Sequence, residues 1–433
     1  MADTVPPARR PRVFFGWYIV AGSILTNALL SAAYFQGFSA LFLPIERHFG
    51  WNRSVISAAM SLRQLESGIV SPAVGFLLDK VSARWILRVS AVLVSAGLIG
   101  LGLSTNIVMF FGSFIVVSLG ASGASHAVTW PVVLARWFRR KRGIAMGVAV
   151  LGPIFGSPFV IVNTSLEESY GWRAVLVGWG LITLVLISLI SAVARERPEA
   201  YGLRPDGDPA PDRETALPPG GAGRRHDPGL RLHDVVRTRD FWLLMGYLGG
   251  VFAVNSGFQV HHIPYFVQDI GLSPQGAAVS LTLVFVISGI GRIGAGYLLD
   301  RSDYRFLLAG VAAMMALSFV YLQLVDVRSV LGTLPFVALF GVGLGSSIPL
   351  RGALGSVMFG TRAIGPVVGL LQGGAVAAGV AGPLFMGIVF DLSGSYRIAI
   401  WALVATGGLM VPLTLLMASP AALARRLSAA PPP

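Results

Sequence analysis

The chain has 433 residues, 54% hydrophobic and only 12% charged, with a mean hydropathy of +0.72. Soluble domains carry roughly 25% charged residues, so this chain lacks the polar cover of a soluble body, which excludes an ordinary soluble enzyme. Its +13 charge, from 33 Lys+Arg against 20 Asp+Glu, would suit nucleic acid only on a folded polar domain, for which the apolar runs leave no room. The 53 glycines and 26 prolines fall inside those runs, where membrane helices tolerate them. The absence of cysteine excludes disulfides, thiolate catalysis and zinc–thiolate sites.

A bilayer core needs about 20 apolar residues per helix. In chain order, that length criterion gives spans near 15–43, 54–78, 86–104, 107–135, 144–164, 173–194, 241–267, 276–299, 306–325, 329–357, 363–390 and 396–417. The first follows Arg9, Arg10 and Arg12, as a signal peptide would, but its apolar run is too long for one and eleven more follow. Between the sixth and seventh lies a polar, proline-rich stretch, too poor in apolar residues to pack a core. The expected organisation is therefore an N-terminal six-helix bundle over 1–194, a cytoplasmic linker over 195–240 that acts as a spacer, and a C-terminal six-helix bundle with a short tail over 241–433.

Lysine and arginine are retained in cytoplasmic loops. With the N-terminus inside, 25 of the 33 basic residues fall in cytoplasmic segments and five in outer loops, namely Arg47, Arg53, Arg173, Arg328 and Arg397. The expectation is a multi-pass protein of the cell inner (plasma) membrane with both termini cytoplasmic. The remaining three, Arg63, Arg292 and Arg351, lie inside predicted spans.

The halves repeat. GFLLDKVSAR (75–84) follows the second span and GYLLDRSDYR (296–305) the eighth. Gly75/Gly296, Asp79/Asp300, Lys80/Arg301 and Arg84/Arg305 match at one offset, which also aligns Gly50 with Gly271 and Gly68 with Gly289. Repeats of this kind give transporters two bundles that rock about a central site. An all-α polytopic membrane protein follows, with twelve transmembrane helices in two pseudo-symmetric six-helix bundles.

On these residues the chain resembles the major facilitator superfamily over essentially its whole length, the duplicated loop looking like that superfamily's signature between helices two and three. ARWFRRKRGIAMGVAVLGPIFG (135–156) is similar to the helix 4–5 junction of the monocarboxylate transporters and the oxalate/formate antiporter-like branch. FGWYIV near the start and GPLFMGIVFDLSGSY (382–396) fit the same branch. The resemblance implies a gate at the cytoplasmic end built from Gly75, Asp79, Lys80, Arg84, Gly296, Asp300, Arg301 and Arg305, and a central cavity lined by helices 1, 4, 7 and 10.

A charge within hydrocarbon costs about 2.5–3.5 kcal/mol even on lenient scales, so intramembrane ions mark cavities or partners. Glu66 is the one acid inside a predicted span, and at i,i+3 from Arg63 it is expected to pair with it. Arg292 and Arg351 have no such neighbour, and an unpaired guanidinium fork suits a carboxylate. Arg292, in VISGIGRIGAGYLLD (286–300), matches the helix-eight arginine that binds carboxylate in the monocarboxylate branch, and is the expected substrate anchor. Polar candidates on the cavity-lining helices are Asn27, Tyr34, Ser125, His126, Asn255, Gln259 and Ser346, with Gln372 on the eleventh.

The chain departs from the branch in three ways. Ser288 stands where proton-coupled members carry an Asp one turn before the arginine, the first span has no charge where they carry a Lys, and the eleventh span lacks the lysine of the oxalate-type members. Glu66, His126, His261 and His262 are the groups that could carry a proton instead. No metal-spaced cluster or nucleophile motif appears, so no enzyme and no cofactor are expected. The expected function is secondary transport of a small organic anion, a lactate- or pyruvate-like monocarboxylate foremost, by alternating access with protons as a candidate coupling ion. The alternatives are dicarboxylate/monocarboxylate exchange and, further off, drug export on the same fold.

Overall fold

A computed structural model describes residues 14–78, 80–124, 129–139, 141–201, 203–207, 230–299, 301–360 and 364–423, without the side chains of 68, 71, 72, 75, 142, 351–353, 356, 364 and 365. Ten segments among them are long and apolar enough to cross a membrane. One, Gly143–Ser191, is two helices, because Gly171 breaks it with φ 77° and ψ 157°. Arg53–Leu78 is a further helix of 26 residues, whose Arg53, Arg63 and Glu66 dilute its hydropathy. Twelve helices long enough to cross a membrane therefore stand among the described residues.

We label them α1 (Gly16–Phe49), α2 (Arg53–Leu78), α3 (Ala83–Gly102), α4 (Ile107–Trp137), α5 (142–170), α6 (172–191), α7 (Arg239–Gln268), α8 (Pro274–Leu299), α9 (Tyr304–Leu324), α10 (Leu334–Phe359), α11 (Ile364–Ser393) and α12 (Arg397–Leu415). An even number of crossings returns the chain to one end, here the terminal end, and the opposite end is the far end.

Two separate cores form. One is built on residues from Ile19 to Ala194 with Val260, including Phe110, Phe114, Trp130 and Trp137, and the other on residues from Val235 to Leu423 with Ala40 and Val160, including Phe258, Phe319, Phe336 and Phe340. The repeat is visible in the turns as well. Gly50 ends α1 and Gly271 follows α7, both left-handed with φ 64° and 82°. Gly171 and Gly394 also take positive φ, 77° and 71°, between α5 and α6 and between α11 and α12. Residues with a Cβ are strained there, which is why glycine recurs.

The halves touch along α2 with α11 and along α5 with α8. At the far end the seam is dense. Ser61 Oγ donates to the Val380 carbonyl (2.7 Å), Ser39 Oγ to Val260 (3.2 Å) and Thr282 Oγ1 to Ser157 (3.0 Å). Towards the terminal end the last cross-half hydrogen bond among the described residues is Arg292 to the Val150 carbonyl. Beyond it Gly143, Gly147, Gly294, Gly296, Gly369 and Gly373 have open space where a Cβ would stand, and Ile293 is 76% exposed. Among the described residues, the hydrogen bonds between the halves concentrate at the far end.

Candidate functional site

Between the halves lies a cavity of about 330 Å³ lined by α1, α2, α4, α5, α7, α8 and α10. Its N-terminal wall begins at a local defect in α1. Residues Ser31–Phe35 form one π turn, with Gln36 N–H bonded to the Ser31 carbonyl at 3.0 Å. Such turns widen a helix and recur at functional sites. This one fits because Gly37 has no Cβ, which would stand 1.7 Å from the Ala32 oxygen. The freed Ala32 carbonyl accepts from Asn163 Nδ2 (2.8 Å), and Trp179 Nε1 holds Asn163 Oδ1 (2.7 Å). The extra residue turns Ser31, Tyr34, Phe35 and Gln36 all onto the cavity.

Two guanidinium groups face this space, one from each half. Arg292 on α8 donates from Nη1 to the Val150 carbonyl of α5 at 2.7 Å, and its Nε is buried without a partner. Arg63 on α2 lies 5.2 Å from the Phe35 ring centre and 5.6 Å from that of Tyr34, and its Nη1 is buried without a partner. No aspartate or glutamate is among the residues lining the cavity. Tyr34 Oη, Gln36 Oε1 and Asn255 Oδ1 are buried without hydrogen bonds. A buried polar atom left unmet costs roughly 1–3 kcal/mol, so orphaned atoms around two guanidinium groups that make no ion pair mark a binding site.

The expected Arg63–Glu66 pair is corrected by the structure. Glu66 Oε2 accepts from Ser118 and from Ser122 (3.3 Å) of α4, and no ion pair joins it to Arg63. At i,i+3 two side chains lie on one broad face but can still turn to opposite flanks of it. Two hydroxyls draw Glu66 towards α4, and the α1 rings draw Arg63 into the cavity. Arg63 is the cavity residue the linear pattern concealed, because a formal partner stood three residues away. Gln36, Gln64 and Ser347 also line the cavity, and nothing in their spacing signalled it.

Of the expected substrate residues, Arg292, Tyr34, Asn255 and Gln259 line the cavity. Asn255 Nδ2 donates to Ser347 Oγ (3.3 Å). Asn27 is buried and donates to the Ser23 carbonyl (2.8 Å), against the α5 backbone at Gly152 rather than in the cavity. Gln372 sits on α11 away from the lining, and Ser346 donates to the Gly291 carbonyl (3.2 Å). Ser125 and His126 lie outside the described residues, as does the side chain of Arg351. Ser288 is satisfied within its own helix, by the Phe285 carbonyl at 2.6 Å.

Neither histidine of α7 lines the cavity. His261 is enclosed by Tyr396 Oη (2.7 Å), Ser57 Oγ (3.0 Å) and the Pro383 carbonyl (3.0 Å), on the far-end seam. His262 is fully buried among Phe258, Phe266 and Phe336 with neither nitrogen bonded.

Of the loop residues expected to gate, Asp79 and Asp300 lie outside the described residues, and Gly75 is described in its backbone alone. Lys80 is exposed, Arg84 Nη2 donates to the Ala192 carbonyl (3.2 Å), and the Arg301 guanidinium stacks 3.8 Å from the Tyr297 ring centre. Arg305 forms an ion pair with Asp303 (2.8 Å), the cap of α9. Gly296 has open space on its Cβ side.

Two helical halves around a charged central cavity are a transporter's plan, and sequence comparison identifies which. The family model of the Major Facilitator Superfamily matches residues 24–372. The chain belongs to this superfamily. Its relatives include an uncharacterized MFS-type transporter YcxA of Bacillus subtilis (strain 168), 24% identical over 407 residues, covering 88% of this chain and 90% of that one. Monocarboxylate transporter 12-B of Danio rerio is 24% identical, covering 88% and 82%. The oxalate:formate antiporter of Oxalobacter formigenes is 22% identical, covering 80% and 78%. Among solved structures, a bacterial homolog to the human lysosomal transporter Spinster, in an inward-facing and occupied conformation, aligns with a TM-score of 0.66 at 14% identity, covering 96% and 97%. The chain is thus a multi-pass major facilitator transporter with relatives in the branch its helix 4–5 junction resembles.

Proposed function

We propose that this transporter carries a small organic anion across the membrane by alternating access, with a monocarboxylate the first class to test. The observation that carries the reading is Arg292, a membrane-embedded guanidinium with an unpartnered Nε in a central cavity whose lining holds no acid. Its fork can take a carboxylate in two parallel hydrogen bonds, and the low-dielectric surroundings strengthen them. Relatives named as monocarboxylate transporters and as an oxalate:formate antiporter support the same class.

The two bundles, 1–194 and 241–433, rock about this site, and 195–240 spaces them. The arginine bias places both termini in the cytoplasm of a cell whose plasma (inner) membrane holds the protein. The terminal end is then the cytoplasmic one, and the loops 75–84 and 296–305 close it when the far end opens. Glu66, near Arg63 but bonded to serines, is the candidate proton carrier.

A thermal-stability screen of carboxylates against cationic drugs tests the reading. Carboxylates should raise the melting temperature of the purified protein and leave Arg292→Ala unmoved. Stabilisation by cations alone would contradict it.

A further inference from the structure

We infer that the cavity contains a second anion subsite, formed by Arg63 with Tyr34 of the π turn, so that the preferred substrate bears two negatively charged ends. The inference rests on the anion reading of Arg292 and deepens it. Arg63 comes from α2 and Arg292 from α8, so the two cations belong to opposite halves of the molecule but line one cavity. Each is partly desolvated, and each has a buried nitrogen with no partner.

Glu66, three residues along α2, gives Arg63 no direct partner. It is engaged by Ser118 and Ser122 and makes no ion pair with Arg63. A single carboxylate on Arg292 would leave the buried Arg63 Nη1 without a hydrogen-bond partner in a low-dielectric site, where an unmet polar group is costly. A second carboxylate at the other end of the ligand meets it, and the unpartnered Tyr34 hydroxyl is positioned on the same wall to donate to that group. A volume of about 330 Å³ exceeds what a three-carbon acid fills and suits a longer, two-headed molecule. The phenyl ring of Phe35 beside Arg63 holds the guanidinium in place by its negative face. Because the two anchors sit on separate halves, a two-headed anion also ties the bundles together while bound.

The test is calorimetric titration of the full-length protein with chain-matched probes, butyrate against succinate and valerate against glutarate. In the native protein the dicarboxylate of each pair should bind about tenfold tighter or more, since charge-assisted hydrogen bonds are among the strongest. In Arg63→Gln that preference should fall to within about threefold, the dicarboxylate losing more affinity than its monocarboxylate match, and Arg63→Lys should keep most of it, as the charge is retained. Tyr34→Phe should reduce the preference partway. If Arg63→Gln does not fold, Arg63→Lys and Tyr34→Phe carry the same comparison. Equal binding of both probes by the native protein, or equal weakening of both by Arg63→Gln, overturns the second subsite and leaves Arg292 standing. Failure of every carboxylate to bind the native protein overturns the anion reading itself.

Discussion

Asp391, near the C-terminal end of α11, accepts hydrogen bonds from the backbone N–H groups of Arg53 and Ser54, both at 2.9 Å. These are the first residues of α2, so an acid of one half caps a helix of the other. A helix N-terminus leaves four N–H groups unmet and carries partial positive charge, and a carboxylate answers both. Around it the Arg53 side chain is buried, bonded to Glu46 (3.0 Å) and stacked 3.4 Å from the Phe390 ring centre, while His261 links Ser57 and Tyr396. Alternating access requires this seam to open.

Removing the cap should favour the opened far end. An N-cap contributes about 0.5–2 kcal/mol, so Asp391→Ala should raise the far-end-open population by roughly tenfold. The chain has no cysteine, which makes an introduced one a clean reporter. Ala40 is 6% exposed and packs with the core of the opposite half. Maleimide labelling of Ala40→Cys should accelerate about tenfold in the Asp391→Ala background, on the same estimate. An unchanged labelling rate would show that the cap does not hold the seam.

The position of Arg292 depends on how closely α8 approaches α10. A Cβ at Gly345 would stand 1.9 Å from the Ser288 oxygen, and one at Gly291 would stand 2.2 Å from the Val342 oxygen. Both obstacles are backbone, so the helices themselves must part. Gly345→Ala should therefore cost about 1–3 kcal/mol as overpacking, and should weaken carboxylate binding along with thermal stability. Wild-type melting temperature and affinity in Gly345→Ala would contradict the close contact.

Outside the membrane, Asp303 caps α9 and is chelated by Arg305 (2.8 Å). Partial burial raises its carboxyl pKa, but the Arg305 side-chain and backbone hydrogen bonds and the Arg305 charge together outweigh this and hold it below its ordinary value. A carboxyl depressed by folding contributes stability at neutral pH that is lost as pH falls through its folded-state pKa. The pair is partly exposed, so the charge contribution is at most about 1 kcal/mol. Asp303→Asn should lower the melting temperature slightly at pH 7, and the difference should vanish as the pH drops below the carboxylate range. A difference that persists unchanged in acid would assign the effect to capping geometry alone.

The fold was legible in the sequence because its signals are local and repeated. Hydropathy set the helices, and the repeat that aligns Gly50 with Gly271 recurs in the structure as a positive φ at both. Arg292 was legible because a lone charge in an apolar run has few explanations. Arg63 was not, because Glu66 offered a partner in sequence while Ser118 and Ser122 took that partner in space. Nor was the π turn, whose cause is the pairing of Gly37 with Asn163 and Trp179 more than a hundred residues away. Hydroxyl and amide contacts between helices carry no periodic trace, so the details of the cavity had to be read from the folded chain.

The central claim is that Arg292 holds the substrate's carboxylate, and uptake of a labelled monocarboxylate into proteoliposomes tests it most directly. Native protein should accumulate the label, and Arg292→Gln should lose at least about a hundredfold in rate, as expected for an unpaired carboxylate left in a buried site. The variant's melting temperature without ligand should stay near that of the native protein. Uptake by correctly folded Arg292→Gln at the native rate would contradict the account.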